Sequence, residues 1–207
     1  MTTGGIVLSG GKSRRMGRSK AMLPFGPERM LQRVVRLLGE VVEPVVVVAA
    51  AVGQELPELA ASISVVHDRR PDRGPLEGLR AGLESLGDRA DAAFVTACDV
   101  PLLKPEFVRR MIALSAGFDA AVPHVDGHDE PLAAVYRTSV LAQVEALLSA
   151  DRLRPAFLFD QVRTRRITAD ELTDVDPDLG SLRNTNHPAD YQAALAKAGF
   201  EAPTEEL

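Results

Sequence analysis

Apolar positions along this 207-residue chain fall into two kinds of run, and their order predicts the fold. Mainly apolar stretches of strand length lie at 5–9, 44–50, 63–67, 92–97, 120–123 and 132–136, with a weaker edge strand at 162–167;. The β-branched run at 44–50 reads as a central parallel strand, buried on both faces. Helical spacing is clearest at 29–38. There Met30, Leu31, Val34, Val35, Leu37 and Leu38 share one face and arginines occupy the other;. Further helices are expected at 55–61, 79–86, 106–114, 140–148, 157–161 and 188–198. Residues 10–17 and 68–78 read as loops, because glycine, proline and charged residues cluster there. Residues 124–130 form a polar loop, 170–181 are irregular, and 200–207 read as a frayed tail.

Strands alternating with helices predict an α/β fold. We expect three layers, with helices on both faces of a mostly parallel, twisted sheet. No linker or repeat divides the chain, so 1–207 reads as a single domain. In such folds ligands bind at the carboxyl ends of the strands. The loop after 5–9 and Asp99 after 92–97 both fall at such ends.

Composition narrows the function classes. A net charge of −5 argues against nucleic-acid binding through a broad basic surface;. The one cysteine, Cys98, allows no disulfide within the chain and no cysteine zinc site, which fits a reducing cytoplasm;. No apolar run approaches the roughly 18–20 residues that span a bilayer, so no membrane association is expected.

Four of the 24 basic residues are lysines, and two of them, Lys12 and Lys20, lie in the first twenty residues. The segment LSGGKSRRMGRSKAML (8–23) follows the first strand and carries five cations between Lys12 and Lys20. Gly10 and Gly11 let backbone N–H groups approach a polyphosphate, while Arg15 and Lys20 can neutralise it. The bland alternative is a surface turn followed by a solvated basic stretch. Neither the Walker spacing nor the Rossmann GxGxxG spacing is met.

A carboxylate directly after a buried strand, Asp99 in TACDVP (96–101), suits Mg²⁺ held against triphosphate oxygens. It suits a helix N-cap or a turn aspartate before Pro101 equally well. Asp68 with Gly74, Pro75 and Leu76 of GPLEGL (74–79) suits the wall of a base or ribose pocket, or a plain entry into a helix. Asn184 and Asn186 suit phosphate or ribose contacts, or a turn that caps the last helix. His124, Asp126, His128, Asp129 and Glu130 fit a solvated loop better than a metal site, because Gly127 forces a tight turn between them.

In order along the chain, LSGGKSRRMGRSKAML, GPLEGL, TACDVP, EPLAAVY (130–136) and NTNHPADY (184–191) resemble the molybdenum cofactor guanylyltransferase (MobA) family of Rossmann-like nucleotidyltransferases. The resemblance implies transfer of GMP from GTP to the terminal phosphate of molybdenum-bearing molybdopterin, with release of pyrophosphate. The N-terminal half would bind nucleotide and the C-terminal half acceptor. It implies that the backbone of Leu8, Ser9 and Gly10 binds GTP and that Lys20 and Arg15 contact its phosphates. Asp68 would hold the guanosine, Asp99 both Mg²⁺ and nucleotide, and Asn184 and Asn186 would lie near the acceptor. Transient contact with molybdoenzymes or cofactor-synthesis proteins would fit the same role. The family's Asn after the second strand is missing, since Ala49, Ala50 and Ala51 stand there. The alternatives are a cytidylyl- or sugar-phosphate nucleotidyltransferase, or a non-catalytic nucleotide-binding module of the same fold.

Overall fold

In the computed structural model, which describes residues 1–10, 19–70 and 73–201, the first strand is β1 (Thr3–Leu8). A small hairpin, β2 (Pro24–Phe25) and β3 (Glu28–Arg29), leads into α1 (Met30–Gly39), then β4 (Val45–Ala49) and β5 (Ser64–His67). Next come α2 (Pro75–Leu86), β6 (Ala92–Ala97), α3 (Pro105–Leu114), β7 (Ala120–Val125), β8 (His128–Asp129) and β9 (Ala133–Arg137). The chain closes through α4 (Leu141–Ser149), α5 (Ala156–Phe159), β10 (Thr164–Thr168) and α6 (Pro188–Lys197).

The main sheet runs β10-β7-β9-β6-β1-β4-β5, with β8 paired to β7. Pairing is parallel for β6-β1, β1-β4, β4-β5 and β7-β10. The strand β9 is antiparallel to both neighbours, and β8 is antiparallel to β7. The expected α/β fold with a mostly parallel sheet is therefore present. The reversal at β9 was invisible in the sequence, because an apolar run carries no direction.

Side-chain alternation along the central strands divides the core into two layers. Ile6, Leu8, Val46 and Val48 pack with Leu76, Leu79 and Leu83 of α2 and with α4 and α5. Val7, Val45 and Val47 pack on the opposite face with α1 and α3. Gly82 lets α2 lie close on the sheet, since a Cβ there would meet Ile6 at 2.6 Å. A third, smaller cluster joins the β2-β3 hairpin to α6 through Phe25, Met30 and Tyr191, and the Tyr191 hydroxyl donates to Pro24 O. Phe200 stacks edge-on against Phe25, so the chain is packed at least that far.

Two helix expectations need correction. Residues 55–60 form no helix. Seven residues are short for nucleation, and Pro57 removes a donor within them. The stretch instead has no regular secondary structure, with Leu56 and Leu59 against the core and Glu58 O accepting from Gln32 Nε2 at 2.8 Å. The helix expected from residue 79 begins earlier, at Pro75, with proline in its first turn, where the missing N–H costs nothing;.

Candidate active site

Four parallel strands, β6, β1, β4 and β5, end side by side, and their following loops enclose a cavity of about 780 Å³. That volume lies in the range of roughly 300–1,000 Å³ usual for small-ligand sites. Of the residues singled out in the sequence, Leu8, Ser9, Gly10, Lys20, Asp68, Gly74, Pro75, Asp99 and Asn184 line it. Leu76 does not, because its side chain turns into the core and is fully buried. Gly11 and Arg15 lie outside the described residues.

The β1 end is held by its neighbours. Leu8 O accepts from Cys98 N at 2.9 Å, and Ser9 N donates to Val48 O at 2.8 Å. Those two backbone groups are thus occupied within the sheet. Cys98 is buried, and its thiol is pushed up to about 12, mainly by burial and then by the charge of Asp99. It is therefore a neutral wall group with no nucleophilic character at neutral pH.

The β6 end is strongly polar. Lys20, at the start of a short 3-10 turn, donates through Nζ to Asp99 Oδ2 at 2.7 Å and to Asn186 Oδ1 at 2.8 Å. The Lys20 and Asp99 side chains are only 16% and 14% exposed, so solvent screens the pair weakly;. Asp99 does not cap the next helix, because α3 starts at Pro105 with Lys104 as its cap residue. Nor do the asparagines cap the last one. Asp190 takes the N–H groups of Asn186 and His187 at 3.1 and 2.8 Å. Asn184 lines the cavity, whereas Asn186 is not part of its lining and meets it only through Lys20.

Sequence reading passed over Thr185, which anchors this segment. It is 1% exposed and donates to Asp99 O from both N (2.9 Å) and Oγ1 (3.1 Å). Only its position between two asparagines hinted at such a role. Three segments far apart in the chain thus meet around Asp99 and Lys20. Asp99 offers one carboxylate with hard oxygens, one of them paired with Lys20, which matches Mg²⁺ only as an ion that takes most of its shell from phosphate and water;.

The β5 end is different. Asp68 N donates to Ala49 O at 3.1 Å, while its Oδ1 is buried without a hydrogen-bond partner among the described residues. Burial, then the nearby Glu77 carboxylate, push the Asp68 carboxyl up to about 6, and Arg80 opposes this only weakly. Arg80 is committed elsewhere: its Nε donates to Glu77 Oε1 at 3.0 Å and its Nη1 to Glu84 Oε2 at 2.7 Å. Glu77 was also missed, although the spacing of Glu77, Arg80 and Glu84 marks an ion-paired helix face.

The polar segment 124–130 is a small hairpin outside the cavity lining. His124 Nδ1 and Asp129 Oδ1 lie 2.7 Å apart, and Arg166 Nε donates to both Asp129 oxygens. Among the described residues no cluster of three or more His, Cys, Asp or Glu side chains suits a metal ion. No helix among them is long and apolar enough to cross a membrane.

Comparison with known proteins places this geometry. Residues 5–164 match the family described as the MobA-like NTP transferase domain. The chain is 34% identical over 194 residues to a probable molybdenum cofactor guanylyltransferase of Pelotomaculum thermopropionicum, covering 94% of this chain and 92% of the relative. A protein of the same description from Mycobacterium avium is 37% identical over 202 residues, with 96% and 97% covered. Among solved structures, molybdopterin-guanine dinucleotide biosynthesis protein A from Archaeoglobus fulgidus superposes with a TM-score of 0.79 at 23% identity, covering 95% of this chain and 98% of that one.

Proposed function

The chain belongs to the MobA-like NTP transferase family of nucleotidyltransferases, and from that premise we propose that it transfers GMP from GTP to the terminal phosphate of molybdenum-bearing molybdopterin. The observation that carries the reading is the meeting of Lys20, Asp99 and Asn186 from three distant segments beside one cavity at the strand ends. The names of the relatives support the choice of guanine and of molybdopterin.

In this reading Gly10 and Gly11 cradle the triphosphate with backbone N–H groups, and Lys20 and Arg15 neutralise it. Asp68, with Gly74 and Pro75, faces the nucleoside. Asp99 is the carboxylate that would hold Mg²⁺, and that ion would supply charge neutralisation to the triphosphate. Asn184 and Asn186 face the acceptor, so the N-terminal half serves the nucleotide and the C-terminal half the acceptor. The acceptor phosphate oxygen attacks the α-phosphorus in line, the P–O bond to the β-phosphate breaks, and pyrophosphate leaves. The attacking oxygen is already anionic, so no general base is needed. Positioning and fixed charge supply the catalysis. Any contact with molybdoenzymes or other cofactor-synthesis proteins would serve delivery of the product.

Thermal stability with Mg²⁺ and equal concentrations of GTP, CTP, UTP and ATP tests the nucleotide. A ligand at about 100 times its dissociation constant adds roughly 2.7 kcal/mol. A Mg²⁺-dependent upshift with GTP alone is expected. A shift with CTP or UTP instead would overturn the base assignment. No shift with any nucleotide, with or without acceptor, would overturn the reading as a whole.

A further inference from the structure

We infer that Gln54 is a positioning residue for nucleotide binding, tying the loops after β1, β4 and β5 into one hydrogen-bonded relay. The inference rests on the proposed function and adds a residue that touches no substrate itself.

The geometry is specific. Gln54 Nε2 donates to Ser9 O at 2.7 Å and lies 3.2 Å from Ser9 Oγ, while its Oε1 accepts from Ala50 N at 2.8 Å. One side-chain amide thus bridges the loop after β1 and the loop after β4. The relay continues through the next peptide. Ala50 N belongs to the same peptide unit as Ala49 O, and Ala49 O accepts from Asp68 N at 3.1 Å;.

Peptide planarity turns this bridge into an aiming device. Ser9 C=O and Gly10 N–H share one planar trans unit and point in opposite directions. Holding the carbonyl on Gln54 therefore fixes the Gly10 N–H on the other side. Gly10 lines the cavity, and its N–H has no partner among the described residues. It is the first backbone donor of the glycine loop that the sheet leaves open, since Ser9 N is used by Val48 O. Ala50 and Ala51 line the same cavity and carry no polar side chain. Gln54 thus places an amide in this loop although the strand end itself offers only alanines. Its amide is spent on backbone groups, so its effect on a nucleotide passes through the orientation of Gly10 and the register of Asp68.

Calorimetric GTP affinity of the full chain tests the inference, with the melting temperature of each nucleotide-free variant measured alongside. Gln54→Leu keeps the side-chain bulk and removes both polar ends. Its GTP dissociation constant is expected to rise about tenfold, measured well below melting. Gln54→Glu keeps an acceptor for Ala50 N and sets an anion against the Ser9 carbonyl. It is expected to weaken GTP at least as much and to melt closer to wild type, and it carries the test alone if Gln54→Leu fails to fold. Unchanged affinity in the folded variants overturns the positioning role even if their melting temperatures fall, because a merely structural side chain would change stability and leave affinity intact. A wild-type protein that binds no nucleotide overturns the proposed function and, with it, this inference.

Discussion

Asp99 and Asp68 face one cavity from opposite sides, and they are held in opposite ways. Asp99, at the β6 end, lies 2.7 Å from Lys20 Nζ and has Thr185 fastened to its carbonyl. Asp68, at the β5 end, keeps a buried oxygen without a partner among the described residues, and its carboxyl is raised to about 6. The strands β1 and β4 separate them, which at ordinary sheet spacing is about 14 Å between strand axes;. A paired, weakly screened cation and carboxylate suit a highly charged group such as a triphosphate with its metal. A half-buried carboxylate with one buried oxygen left open suits neutral donors, such as ribose hydroxyls or base N–H groups, whose binding would satisfy it;. Under the proposed function, the Asp99 end would take the triphosphate and the Asp68 end the nucleoside.

The sharpest way to break this contrast is to remove the charged end. Asp99→Ala is expected to lower turnover by about 10²-fold or more, in line with the loss of one preorganised electrostatic group. Steady-state pyrophosphate release at saturating Mg²⁺ measures it, and turnover near wild type would dissolve the distinction between the two ends.

At the opposite end, Asp68→Asn keeps the shape, and about a tenfold loss of GTP affinity is expected by calorimetry, with turnover at saturation changed less. The same variant carries a pH signature. The folded carboxyl titrates near 6 and the unfolded one near 3.8, so the native state binds more protons between those values. Stability from this group is therefore full below about pH 4 and is lost as pH rises through 6. Relative to wild type, Asp68→Asn should raise the nucleotide-free melting temperature at pH 8, and the gain should vanish near pH 4. A gain that is independent of pH would show that burial does not hold the Asp68 charge at a cost.

The smallest expected effect concerns the fastening of the charged end. Thr185→Val removes the Oγ1 bond to Asp99 O and keeps the backbone one. A stability loss of about 1 kcal/mol is expected in denaturant unfolding, with a few-fold drop in turnover and GTP affinity near wild type. An equal loss of affinity and turnover would place Thr185 with the nucleotide instead of the acceptor side.

The architecture was legible because burial writes itself into the sequence. The runs behind β1, β4 and β6 are apolar at successive positions, as strands buried on both faces must be;. Strand direction is not written that way, so β9 was unreadable as antiparallel, and β2 and β3 were too short to register. The charged end of the site was legible through motifs, since Lys20, Asp99 and Asn186 each sit in a recognisable segment. The groups that arrange them were not. Thr185 and Gln54 act through backbone carbonyls supplied by other segments, and the open oxygen of Asp68 follows from which groups the fold packs around it. Those are properties of the folded neighbourhood, and a residue's type and spacing do not reveal them.

The most direct test of the central claim is acceptor-dependent turnover. Purified protein is supplied with GTP, Mg²⁺ and molybdenum-bearing molybdopterin, and both pyrophosphate and the guanine dinucleotide product are quantified. The account predicts equal amounts of the two, formed only when the acceptor is present and lost in Asp99→Ala. Pyrophosphate and dinucleotide absent from the wild-type reaction, although GTP binds, would contradict it and leave a nucleotide-binding module of the same fold.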